Sequence, residues 1–160
     1  MRKTILVFMM TVLALAAYAQ KETIVGVPFG ASHDEALATF RTVFGEPVAD
    51  KGDMLEFRDV TYEGQKFTSL IVYFDWDQMN HVRFHQVCTG KPQALQKIDS
   101  VKETLASKYS ISTDYEDEGT RFYKGGLGPD GQSLFTIYTF LDRKNDMKWT
   151  AVLRYGAFSL

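Results

Sequence analysis

Two neighbouring stretches of the chain alternate apolar and polar residues with a period of two, and this alternation constrains the fold more than any other feature. The residues on the apolar side are Leu70, Val72, Phe74 and Trp76 in the first stretch and Val82, Phe84 and Cys88 in the second. Side chains two apart lie on one face of a β-strand. The pattern therefore predicts strands over 66–76 and 81–88, joined by a hairpin turn over 77–80.

Two other segments show helical spacing. Ser32 and Glu35 have the spacing of a capping box at the start of the first segment, and Gly45 and Pro47 end it. The second helix is predicted to begin near Pro92. Its apolar stripe consists of Leu95, Ile98, Val101, Leu105 and Tyr109. Such stripes are typical of helices that pack on a core.

The remaining β-rich segments complete a regular order of elements. Further strands are predicted over 54–62, 120–124, 133–141 and 147–155. The order is then helix, three strands, helix, three strands, so 32–88 and 91–156 have the form of two pseudo-repeats. We expect an α+β fold in which two helix-plus-three-strand antiparallel units form one sheet. Both helices should pack on one face of that sheet, in a single domain over 20–160.

The first nineteen residues show the pattern of a secretory signal peptide. Arg2 and Lys3 precede an apolar run over 5–17, which is shorter than the roughly twenty residues that span a bilayer. Residues 17–19 supply a small-x-small cleavage site. We expect cleavage after Ala19, no membrane span, and an exported chain that is periplasmic or extracellular.

Charge and cysteine content narrow the class of protein. The chain has 18 basic and 20 acidic residues, and removal of Arg2 and Lys3 with the signal peptide leaves 16 against 20. A mildly acidic chain lacks the basic patch of a nucleic-acid binder, so no nucleic-acid partner is expected. Cys88 is the only cysteine, which excludes an internal disulfide, and we expect its thiol to be buried.

No motif indicates a metal, a cofactor or a catalytic residue. His81 and His85 are four residues apart, but in a strand that spacing separates them by about 13 Å, too far for one zinc ion. Odd spacing puts Cys88 and His85 on opposite faces of the same strand. The acidic run over 114–118 lacks the ligand spacing of an EF-hand loop. His33 is expected to be a solvated surface residue.

The sheet face opposite the helices carries the candidate binding residues. The predicted site residues are Tyr73, Arg83, His85, Lys148, Arg154 and Arg58, together with Glu56. Thr150 and Val152 are expected to point outward beside them. Aromatic residues and arginine are enriched at protein recognition surfaces, so the pattern favours a protein or a cell-envelope component as the partner. An ordinary solvated sheet face is the alternative interpretation.

The segment that enters the first helix resembles a recurrent opening. Residues 25–32 read Val-Gly-Val-Pro-Phe-Gly-Ala-Ser, Glu35 follows, and residues 44–47 read Phe-Gly-Glu-Pro. This is similar to the G-x-P-F-G-x-S segment of small exported bacterial proteins, many of which have no assigned function. The helix-then-strands unit loosely resembles BamE-type outer-membrane assembly lipoproteins, and its duplication resembles the β-lactamase inhibitory proteins. The resemblance implies a binding protein, although the chain lacks the lipid-anchor cysteine of the former and the repeat disulfides of the latter.

These observations favour an exported, non-catalytic binding or protein-interaction module. Two alternatives stay open: a small hydrolase directed at cell-envelope or other polymers, and a carrier of a small ligand held between the sheet and the helices. A hydrolase would need converging acidic groups, and a carrier would need an enclosed apolar cavity. A binding module would need a broad exposed patch with aromatic residues.

Overall fold

The computed structural model describes residues 23–143 and 147–158, so the predicted signal peptide over 1–19 lies outside the described residues. The described ranges contain two helices and ten strands. In chain order the elements are β1 (Thr23–Ile24), β2 (Val27–Pro28), α1 (His33–Phe44), β3 (Ala49–Asp50), β4 (Met54–Tyr62), β5 (Gln65–Asp75), β6 (Gln78–Cys88), α2 (Lys91–Leu105), β7 (Ile111–Tyr115), β8 (Arg121–Gly125), β9 (Phe135–Asp142) and β10 (Lys148–Tyr155). The predicted α+β class is confirmed.

Eight of the strands form one antiparallel sheet in the order β3-β4-β5-β6-β10-β9-β8-β7. Each helix is followed by four strands, and the two sets join where their last strands, β6 and β10, pair antiparallel. The predicted units of one helix and three strands are therefore not confirmed, because the sequence pattern does not predict β3 or β7. β3 has only two residues, and β7 is an edge strand without buried residues, so neither shows the alternation by which strands are recognised.

Both helices begin where the local chemistry predicts. The Ser32 hydroxyl accepts a hydrogen bond from the Glu35 backbone N–H at 3.4 Å, and the Glu35 carboxylate accepts one from the Ser32 N–H at 3.1 Å. This capping box satisfies donors that the first helical turn leaves unpaired. Gly45 ends α1 with φ 85°, a conformation that favours glycine. α2 begins at Lys91 with Pro92 in its first turn.

One face of the sheet, here called the covered face, holds the core. The residues in register across its centre are Phe57, Leu70, Phe84, Leu153 and Ile137, and all are at most 1 % exposed. Both helices pack on this face. The ring of Phe40 in α1 lies 6.0 Å from that of Phe57. Val101 and Leu105 of α2 line a small gap together with Leu153. Full burial of such side chains contributes roughly 1.5–3 kcal/mol each, so this face holds the fold together.

The hairpin between β5 and β6 turns earlier than predicted. Its two-residue turn is Trp76-Asp77, with φ 49° and 62°, rather than the segment 77–80. A turn with positive φ at both positions matches the right-handed twist of paired strands. Trp76 therefore lies at the tip of the hairpin and is 93 % exposed, so its predicted place on the buried face is wrong.

A β-bulge lets β6 begin directly after this turn. The pairs Phe74–Met79 and Tyr73–His81 leave Asn80 without an opposed residue on β5. The extra residue shifts the alternation, so that Met79 is fully buried. Because the bulge lies near the start of β6, the first residues of this strand do not alternate and look like part of the turn in the sequence.

The alternation also shifts in β4 and β5. Buried apolar residues are three apart rather than two in both strands: Phe57 and Val60 in β4, and Phe67 and Leu70 in β5. Asp59, with φ 51°, lies at this irregularity. The shift keeps the far ends of both strands in the core, beneath α2.

His33, predicted to be a solvated surface residue, is largely enclosed. Its side chain is 14 % exposed, and its Nε2 atom lies 2.9 Å from Asp50 Oδ1. Its backbone N–H donates to the Asp77 carboxylate at 3.2 Å. The residue thus links α1 to β3 and to the β5–β6 turn, through contacts between segments that the local sequence does not reveal.

Candidate functional site

The face of the sheet away from both described helices is here called the open face. Its central row, in register across β5, β6, β10 and β9, consists of Ile71, Arg83, Arg154 and Thr136. Register and alternation place all six predicted site residues on this face. These six are Tyr73, Arg83, His85, Lys148, Arg154 and Arg58. The structure brings the first three and Arg154 into one cluster and leaves Lys148 and Arg58 outside it.

Arg83 and Arg154 lie directly opposite each other on the paired strands β6 and β10, and are here called the arginine pair. Opposed residues of antiparallel strands have Cα atoms about 4.5–5.5 Å apart, so two positively charged side chains leave the open face from neighbouring positions. Within residues 23–143 and 147–158 neither guanidinium group forms an ion pair. Both Nε atoms are buried without a hydrogen-bond partner in the same ranges. The arginine pair is thus an uncompensated cationic centre.

A ring stack flanks the arginine pair on one side. The rings of Tyr73 and His81 are parallel within 16°, with their centroids 4.2 Å apart. The guanidinium carbon of Arg83 lies 5.1 Å from the centroid of the Tyr73 ring, a cation–π contact. The His81 Nδ1 atom lies 2.8 Å from the side-chain oxygen of Asn80. The stack holds Arg83 in a defined position.

Aromatic side chains also lie on the other side of the pair. The ring of His85 lies 6.3 Å from that of Phe140, which lies 6.4 Å from that of Tyr138. Register places Val152 between His85 and Tyr138 and places Thr150 opposite Phe140. Thr150 and Val152 lie on the open face, as predicted, but they are only 2 % and 1 % exposed. They form a buried floor beneath the aromatic rings, because their larger cross-strand neighbours cover them.

Both histidines of this cluster are neutral at pH 7. Desolvation, together with the charges of Arg83 and Arg154, lowers the pKa of His81 to about 4. Desolvation and the charge of Arg83 lower the pKa of His85 to about 4, against a smaller opposing effect of Asp142. The positive charge of the cluster therefore resides on the arginine pair alone.

Arg58 and Lys148 occupy different surroundings on the same face. Arg58 forms an ion pair with Glu56, with 2.7 Å between Nη2 and Oε1, so each charge is already matched. Lys148 lies opposite Asp142 at the far end of β10. It is six residues from Arg154, about 20 Å along a strand. These two cations do not contribute to the central cluster.

Three members of the cluster, His81, Tyr138 and Phe140, are absent from the predicted site. A signal for two of them exists in the sequence, since Tyr138 and Phe140 alternate with the buried Ile137 in β9. The pattern does not show which strand lies beside β9. Only the pairing of β9 with β10 brings these rings beside His85 on the open face.

The described residues give little support for a hydrolytic site, a metal site or a reactive cysteine. A cleft of about 380 Å³ opens at the β4–β5 irregularity, but its lining contains a single carboxylate, Asp59, beside Lys66. No group of three His, Cys, Asp or Glu side chains in the described part of the chain could hold a metal ion. Asp114 of the acidic run lies 3.2 Å from the ammonium group of Lys124. Cys88 is buried as predicted, and desolvation raises the pKa of its thiol.

Comparison with known proteins identifies no relative of this chain. No family model, no curated protein and no solved structure matches it. The resemblance of residues 25–32 to the opening of small exported proteins therefore stays a prediction. As far as the chain is described, neither helix has the length and apolar character needed to cross a membrane. The functional interpretation rests on the geometry of the open face.

Proposed function

We propose that the chain is an exported, non-catalytic binding module that holds a protein partner against the open face of its sheet. The observation that carries the proposal is the arginine pair, two opposed charges that form no ion pair within the described residues. Partly buried charges without partners reduce stability. Local departures of this kind, in a fold that is otherwise well packed, are expected at functional sites.

The surroundings of the pair support a protein partner. Tyr73 contacts Arg83, and the rings of His85, Tyr138 and Phe140 continue the surface along the sheet from the arginine pair, over the buried Thr150 and Val152. Interface centres are rich in aromatic residues and arginine and poor in other charged residues. Rings that are already packed against neighbours lose little conformational freedom when a partner binds, which favours recognition by this surface.

Export is the part of the proposal that the first nineteen residues support. The basic head, the short apolar run and the small residues at 17 and 19 favour a cleaved signal peptide. Sequencing the N-terminus of protein recovered from the cell envelope or the medium tests this directly. The first residue should be Gln20, and recovery of an uncleaved chain from the cytoplasm would contradict export.

The hydrolase and the carrier receive weaker support. Glycoside hydrolysis uses a pair of carboxyl groups, whereas the cleft beside Asp59 has one. The apolar gap between α2 and the sheet has no room for even a water molecule, whereas ligand pockets have volumes of roughly 300–1,000 Å³. Neither observation favours a second function over the binding module.

Site-specific photo-crosslinking tests which face meets the partner. A photoreactive amino acid is placed at Thr136 or Tyr138 on the open face, and as a control at Val43, which is exposed on α1. After irradiation of the cells that produce the protein, we expect adducts of one defined mass from the open-face positions only. Adducts from Val43 alone, or from no position, would contradict the proposal.

A double variant tests the role of the cluster itself. Tyr73→Ala together with Arg83→Ala removes the stacked ring and one charge while leaving the covered face intact. We expect the adduct from Thr136 to be lost, with circular dichroism showing that the fold persists. An unchanged adduct would remove both residues from the binding site.

A further inference from the structure

We infer that the arginine pair is a carboxylate site that receives one aspartate or glutamate side chain of the partner, an inference that rests on the binding function proposed above. Arg83 and Arg154 are directly opposed on paired strands, so their guanidinium groups extend from neighbouring backbone positions. A guanidinium group can donate two parallel hydrogen bonds to a carboxylate, a geometry that an ammonium group does not offer. One carboxylate between the two arginines can accept from both.

The unliganded arrangement is unfavourable in two ways that a carboxylate would correct. Like charges directly opposite each other on paired strands destabilise a sheet. The buried Nε atoms of Arg83 and Arg154 also have no hydrogen-bond partner among the described residues. A bound carboxylate supplies a negative charge beside the arginine pair. Its oxygens can accept from the Nε atoms once the two side chains turn toward the ligand, so one ligand group corrects both deficits.

The ring stack prepares one arginine for this ligand. Tyr73 lies against the Arg83 guanidinium at 5.1 Å and is itself stacked on His81 at 4.2 Å. A side chain held in place before binding loses less conformational entropy when the ligand arrives. Arg83 is thus the more ordered half of the site, since Arg154 lacks such a stacking ring within the described ranges.

The distribution of charge on the open face favours a protein side chain over a polyanion. Arg58 is matched by Glu56 at 2.7 Å and Lys124 by Asp114 at 3.2 Å, so these two flanking cations do not extend the positive charge of the arginine pair. Nucleic acids and anionic lipid surfaces are bound by extended rows of cations. The chain also carries a net charge of −2. A two-charge centre among aromatic rings fits a single acidic side chain.

Titration with short peptides tests the inference. The probes are a blocked pentapeptide with one glutamate among serine and leucine residues, the same peptide with glutamine, and inorganic phosphate. Binding is followed by the NMR amide shifts of β6 and β10. We expect the glutamate peptide to bind with about millimolar affinity and the glutamine peptide about tenfold more weakly, because charge-assisted hydrogen bonds are lost.

Matched variants assign the binding to the arginine pair. Arg83→Met and Arg154→Met should each weaken binding of the glutamate peptide about tenfold. Arg41→Met is the control, because it removes the same charge from α1, where Arg41 pairs with Glu46 at 2.9 Å. It should leave the affinity within about twofold. Unchanged amide shifts away from the open face show that each variant is folded.

Several results would overturn the carboxylate site. They are equal affinity for the glutamate and glutamine peptides, tighter binding of phosphate than of the glutamate peptide, and full binding by both methionine variants. Crosslinked adducts that persist when both arginines are replaced would overturn this site and leave the binding module in place. If the glutamate peptide binds at the arginine pair but no open-face position gives an adduct, the carboxylate site is supported and the proposed protein partner is contradicted.

Discussion

The two faces of the sheet are built from the same strands but differ in almost every physical respect. Across five strands, the covered face presents Phe57, Leu70, Phe84, Leu153 and Ile137, whereas the next row on the open face presents Glu56, Ile71, Arg83, Arg154 and Thr136. The first row is fully buried, whereas the second is polar apart from Ile71 and carries two charges that form no ion pair among the described residues. Adjacent residues of each strand thus point to opposite faces, one of which stabilises the fold while the other carries the candidate site.

The pKa values of the histidines also differ between the α1 region and the open face. Burial alone would lower the pKa of His33, but hydrogen bonds and charges of Asp34 and Asp50 outweigh it and raise that pKa. On the open face, desolvation and the arginine charges lower the pKa values of His81 and His85 to about 4. The surroundings of these two rings on the open face therefore disfavour additional positive charge.

The largest expected difference in stability is between alanine substitutions of two neighbouring residues that lie on opposite faces of β6. Phe84→Ala should reduce the free energy of unfolding by about 3–5 kcal/mol, because it leaves a cavity in the centre of the core. His85→Ala, one residue along the strand, should cost less than about 1.5 kcal/mol, since it removes a partly exposed ring. Urea unfolding of both variants measures the difference. Similar losses would mean that the open face also supports the fold.

The second-largest expected effect is a loss of stability at acidic pH. Because the pKa values of His81 and His85 are lowered to about 4 in the fold, the unfolded chain binds protons first as the pH falls from 6.5 toward 4. Stability should therefore decrease through this window. One pKa unit corresponds to about 1.4 kcal/mol, and the partial exposure of the rings reduces the loss to roughly 1–2 kcal/mol per histidine.

The charged groups that act on these rings are Arg83, Arg154 and Asp142. Denaturant unfolding at several pH values across the window measures the slope. Replacing both His81 and His85 with asparagine should flatten it, whereas His33→Asn should leave it unchanged. A slope that persists in the double variant would assign the acid loss to other groups.

A smaller effect of opposite sign is expected at the arginine pair. Arg154→Met should raise the free energy of unfolding by about 0.5–1 kcal/mol, because it relieves like-charge repulsion and removes a buried, unpartnered Nε atom. Arg58→Met serves for comparison and should be neutral or slightly destabilising, since Arg58 is matched by Glu56. Thermal unfolding distinguishes the two. A destabilised Arg154→Met would indicate that the arginine has a structural partner.

The smallest expected effect is a loss of stability at rising pH, caused by His33 of α1. Since the pKa of His33 is raised in the fold, its contribution is present below pH 6.5 and is lost as the pH rises through the folded-state pKa. Solvent screening of this partly exposed cluster limits the change to a few tenths of a kcal/mol. NMR titration of the ring should give a pKa above 6.5 for His33. A lower value would reverse the sign.

Features set by neighbours in the chain were predictable. The capping box of Ser32 and Glu35 and the burial of Cys88 follow from local spacing and residue type. The faces of Arg83 and Arg154 also follow, because alternation along a strand is a local property. β3 and β7 were not predictable, since short or edge strands bury too little to show alternation. The exposed Trp76 was missed because a bulge hides the position of the turn.

The sequence by itself determined which residues each strand directs to which side, and therefore that one side is apolar and the other mixes arginine with aromatic rings. Only the tertiary structure decided that Arg83 and Arg154, about seventy residues apart in the chain, oppose each other. It also decided that the rings of β9 lie beside His85 and that Val152 is buried. The physical reason is that alternation is encoded within one strand, whereas strand order and register depend on how distant segments pack together.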